Sequence, residues 1–348
     1  MAPIRRYVLM ACALAGTAQG AMARDLVVVS YGGPSKVAQT KAYYEPFRRE
    51  TGVNVVGAEW NGEVGKVKAM VDTRSVSWDA VEVEASLQGR GCDEGMFEKL
   101  DYSQIGNKAD FIPGAVQPCA IGTFVSSTVL AYNADKLKTA PKSWQDFWDV
   151  KRFPGKRAMR KGAEYTLEIA LMADGVPPAE VYKVLSTEAG VTRAFRKLDQ
   201  IKPYIQWWES GSQPAQYLLA GDVVMSTSYN GRITNARREG KNLQMVWDQS
   251  LYELDYWAIP KGSPRKAEAM KFIALASRPE QQKLYSEQMP YGPTNRKALA
   301  LLPASVQAEL PTAPQNLRKA MPLDVNFWID HVENLEQRFN AWVAKPAT

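Results

Sequence analysis

The residues of this 348-residue chain that could do chemistry are aromatic and charged side chains at or near the ends of predicted strands. An ammonium group against a tyrosine or tryptophan face gains roughly 0.5 to 2 kcal/mol. An ionised partner in a closed cleft adds a hydrogen bond of about 1.5 to 3 kcal/mol. The set therefore indicates a site for a small amine, although core packing explains any single member. Its members are Tyr31, Trp78, Glu84, Tyr165, Trp207, Trp208, Tyr229, Arg232, Asp255, Trp257 and Tyr291.

Catalytic motifs are missing. The only histidine, His331, lies near the C-terminus where an exposed position is expected, which disfavours Ser-His-Asp and Cys-His mechanisms. No Gly-x-Ser-x-Gly, Gly-x-x-x-x-Gly-Lys-Ser/Thr or Gly-x-Gly-x-x-Gly motif occurs. An exported enzyme that uses Glu84, Glu164 and Asp255 as acid and base stays open as an alternative. We expect a protein that is not an enzyme, with no cofactor and no metal site.

The elements that must position these side chains alternate between strand and helix. Strands are predicted at residues 26–30, 53–58 and 78–83, and helices at 36–50 and 63–72, with Thr51-Gly52 ending the first helix. This alternation predicts parallel strands joined by crossover helices. Ligands of such sheets bind at the carboxyl ends of the strands, where Tyr31 and Glu84 stand.

A second region of the same type follows. It contains predicted strands at 124–132, 222–228 and 254–259, and a helix that begins within Tyr229-Asn230-Gly231-Arg232. Further helices are predicted at residues 144–148, 166–173, 178–198, 213–220, 265–276 and 279–289. Crossings near 128–131 and near Tyr256 would form a hinge. A chain of this length favours two domains, with residues 24–128 plus 257–305 as lobe 1 and residues 129–256 plus 306–348 as lobe 2.

Residues 1–23 are typical of a cleaved secretory signal. Arg5 and Arg6 precede an apolar run at 7–16, and Ala21-Met22-Ala23 fits a cleavage site. That run is shorter than the roughly 20 apolar residues of a membrane helix, and no later stretch approaches this length. A lipid anchor at Cys12 is an alternative. We expect a periplasmic protein that begins near Arg24.

The mature chain would keep two cysteines, Cys92 and Cys119, and an even count in an oxidising compartment predicts a disulfide between them. Two buried free thiols are the alternative. Removing Arg5 and Arg6 lowers the formal charge only from +6 to +4. The basic cluster at 151–161 is interpreted as a solvated face, because no nucleic-acid module accompanies it. No nucleic-acid partner is expected.

Five segments carry a family resemblance over nearly the whole mature chain. They are Val28-Val29-Ser30-Tyr31-Gly32-Gly33, Trp78-Asp79-Ala80-Val81 with Glu84 and Ser86, Thr128-Val129-Leu130-Ala131-Tyr132-Asn133, Leu254-Asp255-Tyr256-Trp257-Ala258-Ile259-Pro260, and Tyr291-Gly292-Pro293-Thr294-Asn295. With these in order, the chain resembles the periplasmic spermidine/putrescine-binding proteins of ABC importers, among the bacterial extracellular solute-binding proteins.

The resemblance implies an α/β fold, a two-lobed periplasmic-binding-protein clamshell of type II-like class. Each lobe would be a mainly parallel sheet flanked by helices, with two crossover strands as the hinge. The resemblance also implies a monomer that hands a small amine or amino acid to an ABC permease of the inner membrane. A receptor that presents the ligand to a membrane sensor is an alternative.

Site residues follow from the same resemblance. Tyr31, Tyr229 and Tyr291 fall at aromatic positions, Ser86 at a hydroxyl contact and Asp255 at an ammonium-binding carboxylate, with Glu84 at a neighbouring strand end. Glu164 and Tyr165 flank the position of a family acid, and which of them reaches the cleft stays open.

One position departs from the polyamine pattern. Arg232 stands three residues after Tyr229, where polyamine binders typically have a second aspartate. A guanidinium there would repel one ammonium of a dication, whereas it matches a carboxylate. Arg232 with Asp255 therefore predicts a zwitterion, as in the branch that resembles 4-aminobutyrate binders. The alternative is a polyamine pocket in which Arg232 pairs internally with Glu84 or Asp255.

Overall fold

The structure is a computed structural model that describes residues 24–346. The predicted signal segment 1–23 lies outside the described residues. The strands are β1 (Leu26–Ser30), β2 (Val55–Glu59), β3 (Ala80–Glu84), β4 (Ala120–Asn133), β5 (Arg157–Arg160), β6 (Ile205–Trp208), β7 (Met225–Tyr229), β8 (Leu243–Ala258), β9 (Gly292–Pro293) and β10 (Met321–Pro322).

Helices flank these strands. They are α1 (Gly33–Gln39), α2 (Glu45–Thr51), α3 (Val64–Asp72), α4 (Ala85–Asp93), α5 (Tyr102–Ile105), α6 (Trp144–Trp148), α7 (Thr166–Ala173), α8 (Val181–Leu185), α9 (Glu188–Ile201), α10 (Gln213–Ala220), α11 (Asn230–Arg238), α12 (Lys266–Ala276), α13 (Pro279–Gln288), α14 (Arg296–Leu301), α15 (Ala304–Ala308), α16 (Pro314–Leu317) and α17 (Val325–Val343). Among residues 24–346, no helix is both long and apolar enough to cross a membrane.

The strands form one continuous sheet in the order β2-β1-β3-β8-β4-β7-β5-β6, with β10 beside β8 and β9 beside β4. Strands β2, β1 and β3 pair in parallel at one end, and β7, β5 and β6 pair in parallel at the other. Each parallel group joins the centre through an antiparallel neighbour, β8 or β4. The sheet therefore consists of two groups of parallel strands connected through a pair of long central strands, β8 and β4.

The two central strands cross from one parallel group to the other. β4 pairs with β8 along most of its length, and the register shifts between Thr128 and Leu130, whose partners are Leu251 and Val246. Residues 247–250 of β8 bulge at this point, and Gln249 has a φ of 57°. Tyr256 pairs with Val83 of β3. We therefore propose that the second crossing lies at 247–250 and not near Tyr256.

Separate apolar cores lie on the two sides of this crossing. One core packs α1, α12 and α13 against β1, and its centre contains Tyr43, Phe272 and Tyr285. Another packs α7, α9 and α17 on the opposite side, around Leu167 and Trp328. This packing supports two lobes. The predicted bounds are 24–128 plus 257–305 and 129–256 plus 306–348, and with the second crossing at 247–250 we propose that residues 251–256 belong to lobe 1.

The long helix predicted at 36–50 is interrupted. α1 passes through a π-helical turn, Thr40–Tyr44, into α2, which ends at Gly52 with a φ of 72°. A left-handed residue at this place is the usual end of a helix, and glycine adopts it without steric cost. The helix predicted at 178–198 is also divided, because the Thr187 hydroxyl caps the start of α9.

Candidate functional site

The candidate site lies on one face of the neighbouring strands β3, β8 and β4. Their register places Glu84 opposite Asp255, and Ser126 opposite Glu253. Side chains two residues apart on a strand project from the same face. The face therefore gathers acidic groups from two strands, and its members are Glu82, Glu84, Phe124, Ser126, Glu253 and Asp255.

A cavity lies over this face, between the end of β1 and the start of α11. Six of the predicted binding residues line it: Tyr31, Glu84, Tyr229, Arg232, Asp255 and Tyr291. The lining residues outside the predicted set are Ser35, Asn61, Glu82, Phe124, Ser126, Arg160, Trp208, Glu209, Gly211 and Glu253. The structure thus brings together side chains that are as much as 260 positions apart in sequence, Tyr31 and Tyr291 being the extremes.

Arg232 lies in the first turn of α11, directly after β7, and is 5% exposed. Its Nη2 donates to the carbonyl oxygens of Gly32 at 3.0 Å and Tyr31 at 3.4 Å. Its Nε and Nη1 have no hydrogen-bond partner among the described residues. A buried guanidinium that keeps unpaired N–H donors is costly unless a ligand satisfies them.

The predicted alternative, an internal ion pair of Arg232 with Glu84 or Asp255, is wrong. Glu84 forms a salt bridge with Arg160, in which Arg160 Nη2 lies 2.9 Å from Glu84 Oε1. Asp255 accepts a hydrogen bond from the Ser126 hydroxyl at 3.2 Å. No salt bridge of Arg232 forms within residues 24–346. The Arg232 guanidinium is therefore available to bind an anionic group of a ligand.

The expectation that Asp255 is the single carboxylate facing Arg232 needs correction, because five carboxyl groups line the cavity, those of Glu82, Glu84, Glu209, Glu253 and Asp255. Burial raises the pKa of Glu82 to about 7, although a short hydrogen bond from Gln39 and the charge of Arg232 oppose the rise. Burial, followed by the charges of Glu82 and Glu84, raises the pKa of Asp255 well above its usual range. Burial and the charges of Glu84 and Asp255 do the same to Glu253.

Aromatic rings form the walls. The Tyr31 ring stacks on Trp60 at 5.9 Å, and the Tyr291 ring stacks on Phe124 at 4.7 Å. Tyr229 meets the edge of Trp208, with 5.7 Å between the ring centroids. Such paired rings have few alternative positions, so they present fixed faces and edges to the cavity.

Ser86 and Tyr165 do not line the cavity. The Ser86 hydroxyl donates to Glu164 Oε2 at 3.3 Å, which joins residues from the two sides of the crossing. Tyr165 is 2% exposed, and its ring lies 5.0 Å from the Arg160 guanidinium. Its φ of 67° is unusual for a residue other than glycine. A direct ligand contact by Ser86, Glu164 or Tyr165 stays a prediction.

The basic cluster at 151–161 is only partly a solvated face. Lys151 and Arg152 are exposed, but Arg157 is fully buried and Arg160 lines the cavity. Arg157 donates to the backbone carbonyls of Phe147, Gly155 and Asp149. This pattern holds the end of α6, and no signal in the sequence separates it from the exposed members.

The disulfide prediction is confirmed. The sulfurs of Cys92 and Cys119 lie 2.01 Å apart, and the bond ties α4 to the residue before β4. Neither cysteine lines the cavity. The bond therefore holds elements on one side of the crossing.

A family model described as bacterial extracellular solute-binding protein matches residues 42–314. The chain belongs to the bacterial extracellular solute-binding proteins. The predicted membership is thereby confirmed.

Two relatives with different ligands in their names are similar to this solute-binding protein in sequence. The gamma-aminobutyric acid-binding protein of Pseudomonas aeruginosa is 57% identical over 340 residues, which covers 98% of this chain and 96% of the relative. The spermidine/putrescine-binding periplasmic protein of Escherichia coli is 24% identical over 275 residues, 75% of this chain and 76% of the relative. The first similarity is much the stronger.

Solved structures show the same two-lobed fold, so the predicted fold class is confirmed. A GABA receptor is 35% identical with a TM-score of 0.82, over 93% of this chain and 99% of the other. The PBP MotA from A. tumefaciens B6 in complex with glucopine is 33% identical with a TM-score of 0.87, over 92% and 100%. The Agrobacterium tumefaciens PBP AttC, described as open and unliganded, is 28% identical with a TM-score of 0.63, over 92% and 100%.

Proposed function

We propose that this protein captures a small zwitterionic ω-amino acid, of the 4-aminobutyrate type, in the cavity between its lobes and delivers it to an ABC permease. The observation that carries the proposal is the buried guanidinium of Arg232, which lines the same cavity as Asp255 and keeps N–H donors without partners. A carboxylate satisfies those donors and neutralises the charge.

The other end of the ligand is an ammonium group. Asp255 is the proposed ammonium partner, held in place by the Ser126 hydroxyl, and the rings of Tyr31, Tyr229 and Tyr291 line the same space. A cation near aromatic faces gains roughly 0.5 to 2 kcal/mol. An ω-amino acid carries its two charges at opposite ends, which suits a site with the guanidinium and the carboxylate on different elements.

The gamma-aminobutyric acid-binding relative and the GABA receptor structure support this ligand class. The binding proteins that are named for spermidine and putrescine have only about a quarter of their residues in common with this chain. The proposal therefore follows the chemistry of the cavity and the stronger similarity together.

A polyamine is the second candidate, and the five carboxyl groups of the cavity favour it. Glu84 is already paired with Arg160, however, and Arg232 would repel a second ammonium. Calorimetry with 4-aminobutyrate and putrescine separates the two. We expect saturable binding of 4-aminobutyrate and weak or no binding of putrescine, and the reverse result would remove the amino-acid proposal.

We also propose that the protein is periplasmic, monomeric and not an enzyme. The family supports export, and a hinge of two strands supports binding by closure rather than chemistry on the ligand. Recovery of unchanged 4-aminobutyrate after prolonged incubation is expected, whereas turnover would support an enzyme. Neighbouring genes for an ATPase and two permeases would favour import over presentation to a sensor.

A further inference from the structure

The cavity contains more acidic groups than basic groups. Glu82, Glu253 and Asp255 are each 5% exposed or less. Glu84 is balanced by Arg160. Among the described lining residues, Arg232 is then the one remaining cation, so three carboxyl groups share a single guanidinium. A zwitterionic ligand brings one charge of each sign and leaves this imbalance unchanged.

Of these three carboxyl groups, Glu253 has the fewest groups that could stabilise its negative charge. Its Oε2 has no hydrogen-bond partner among the described residues. The charged groups that act on it are Glu84 from β3, Asp255 from its own strand, Glu164 from the segment before α7, and Arg160 from β5. Three of these are acids, and the single base already pairs with Glu84.

The remaining ionisable groups of the cavity do not change this balance. Gln39 and Arg232 compensate Glu82 in part, and the proposed ammonium compensates Asp255. Burial raises the pKa of Tyr31, Tyr229 and Tyr291, so these phenols stay neutral. Glu209, the other acid of the lining, pairs with Lys161.

We propose that Glu253 carries a proton in the closed, ligand-bound protein, so that binding a zwitterion takes up a proton from solution. When the lobes are apart, Glu253 faces water and is ionised at neutral pH. Closure removes that water and leaves its charge uncompensated, which favours the neutral acid. The inference rests on the proposed function, because it requires a ligand of zero net charge and closure around it.

The sign of the pH dependence follows directly. The carboxyl group binds more protons in the closed state than in the open state at pH values above its ordinary pKa of 4.5. Affinity is therefore greatest at mildly acidic pH and falls as pH rises towards the raised pKa of Glu253. The ammonium and carboxylate of 4-aminobutyrate do not titrate between pH 6 and pH 8, so they do not contribute.

Titration calorimetry of the mature protein with 4-aminobutyrate tests this. In phosphate and in Tris at the same pH, we expect binding enthalpies that differ by about one proton multiplied by the difference between the ionisation enthalpies of the two buffers. Between pH 6 and pH 8, Kd should weaken by up to about tenfold per pH unit. Glu253→Gln, an uncharged isostere, should remove about one proton of uptake, whereas Glu280→Gln, at an exposed position of α13, should behave as the wild type.

Each outcome is decisive. Equal enthalpies in both buffers with intact binding would overturn proton uptake and leave the proposed function standing. Wild-type buffer dependence in a folded Glu253→Gln variant would overturn the assignment to Glu253. Absence of binding in every buffer would overturn the proposed function and this inference together. If the variant does not fold, the buffer dependence of the wild type still decides whether a proton is taken up.

Discussion

The guanidinium of Arg232 reaches the cavity because the backbone around it leaves room. α11 begins immediately after β7, which places position 232 in its first turn. On the facing segment, a Cβ on Gly33 would lie 2.6 Å from Arg232 Nη1, and Gly33 has a φ of 57°. Glycine tolerates that conformation and allows the approach. The position of Arg232 therefore depends on a residue about 200 positions away.

Removing this guanidinium should weaken binding of 4-aminobutyrate strongly. A hydrogen bond to a charged group contributes about 1.5 to 3 kcal/mol, so Arg232→Ala should raise Kd by about 10- to 100-fold in calorimetry. Arg237→Ala, on the last turn of the same helix, is the matched control and should leave Kd unchanged. Equal affinity in wild type and Arg232→Ala would contradict the carboxylate role.

Sequence could identify some of these residues but not others. Arg232 stands out because a basic residue replaces an expected acid in a recognisable segment, and Glu82 is signalled by its spacing from Glu84. Glu253 and Arg160 reach the cavity only through the pairing of β8 with β4 and of β5 with β7. Strand register of this kind is a tertiary property, so local pattern cannot assign it.

At the scale of elements, the acidic side chain of Glu168 connects α7 to α17. Its Oε1 accepts hydrogen bonds from Trp328 Nε1 at 2.6 Å and from the Tyr182 hydroxyl at 3.0 Å. Burial raises its pKa to about 7, although these hydrogen bonds oppose the rise. The folded protein thus binds a proton here that the unfolded chain releases above pH 4.5.

This group should make the protein less stable as pH rises from about 4.5 through 7. Each unit of raised pKa corresponds to about 1.4 kcal/mol, so the loss is about 3 kcal/mol by pH 8. Glu168→Gln keeps the acceptor for Trp328 and cannot ionise. Thermal unfolding at pH 5.5 and pH 8 should show a smaller decrease in Tm for Glu168→Gln than for wild type, and an equal decrease would contradict this account.

The bounds of β8 differ from those predicted from the sequence. The pattern locates β8 only from Leu254, yet the strand begins at Leu243. Asp248-Gln249-Ser250 reads as a turn, and the chain does bulge there, with Gln249 in the left-handed region. Pairing with β4 on both sides of the bulge keeps one strand where the local sequence indicates a break. The uninterrupted pattern of α10, by contrast, predicts its bounds correctly.

The disulfide between Cys92 and Cys119 should contribute to the stability of the protein and not to the binding of its ligand. The bond closes a segment with a sequence separation of 27 residues. Loss of such a crosslink costs about 3 to 4 kcal/mol in the chain-entropy model. The double variant Cys92→Ser/Cys119→Ser should therefore unfold at a lower temperature.

Its affinity for 4-aminobutyrate should stay within about twofold of wild type, because neither cysteine touches the cavity. Wild-type protein treated with a reducing agent provides a second route to the same state and should show the same decrease in Tm. A large loss of affinity in a folded double variant would show that the bond positions the site.

The pairing of the two crossing strands has a mechanical consequence. β4 and β8 remain hydrogen-bonded neighbours across the boundary between the lobes, so sliding or twisting one lobe against the other would break the ladder. Bending at the bulge of residues 247–250 leaves most of the ladder intact. We therefore expect the lobes to swing about a single axis, in which case a membrane protein in contact with both lobes could distinguish a loaded carrier from an empty one by one angle.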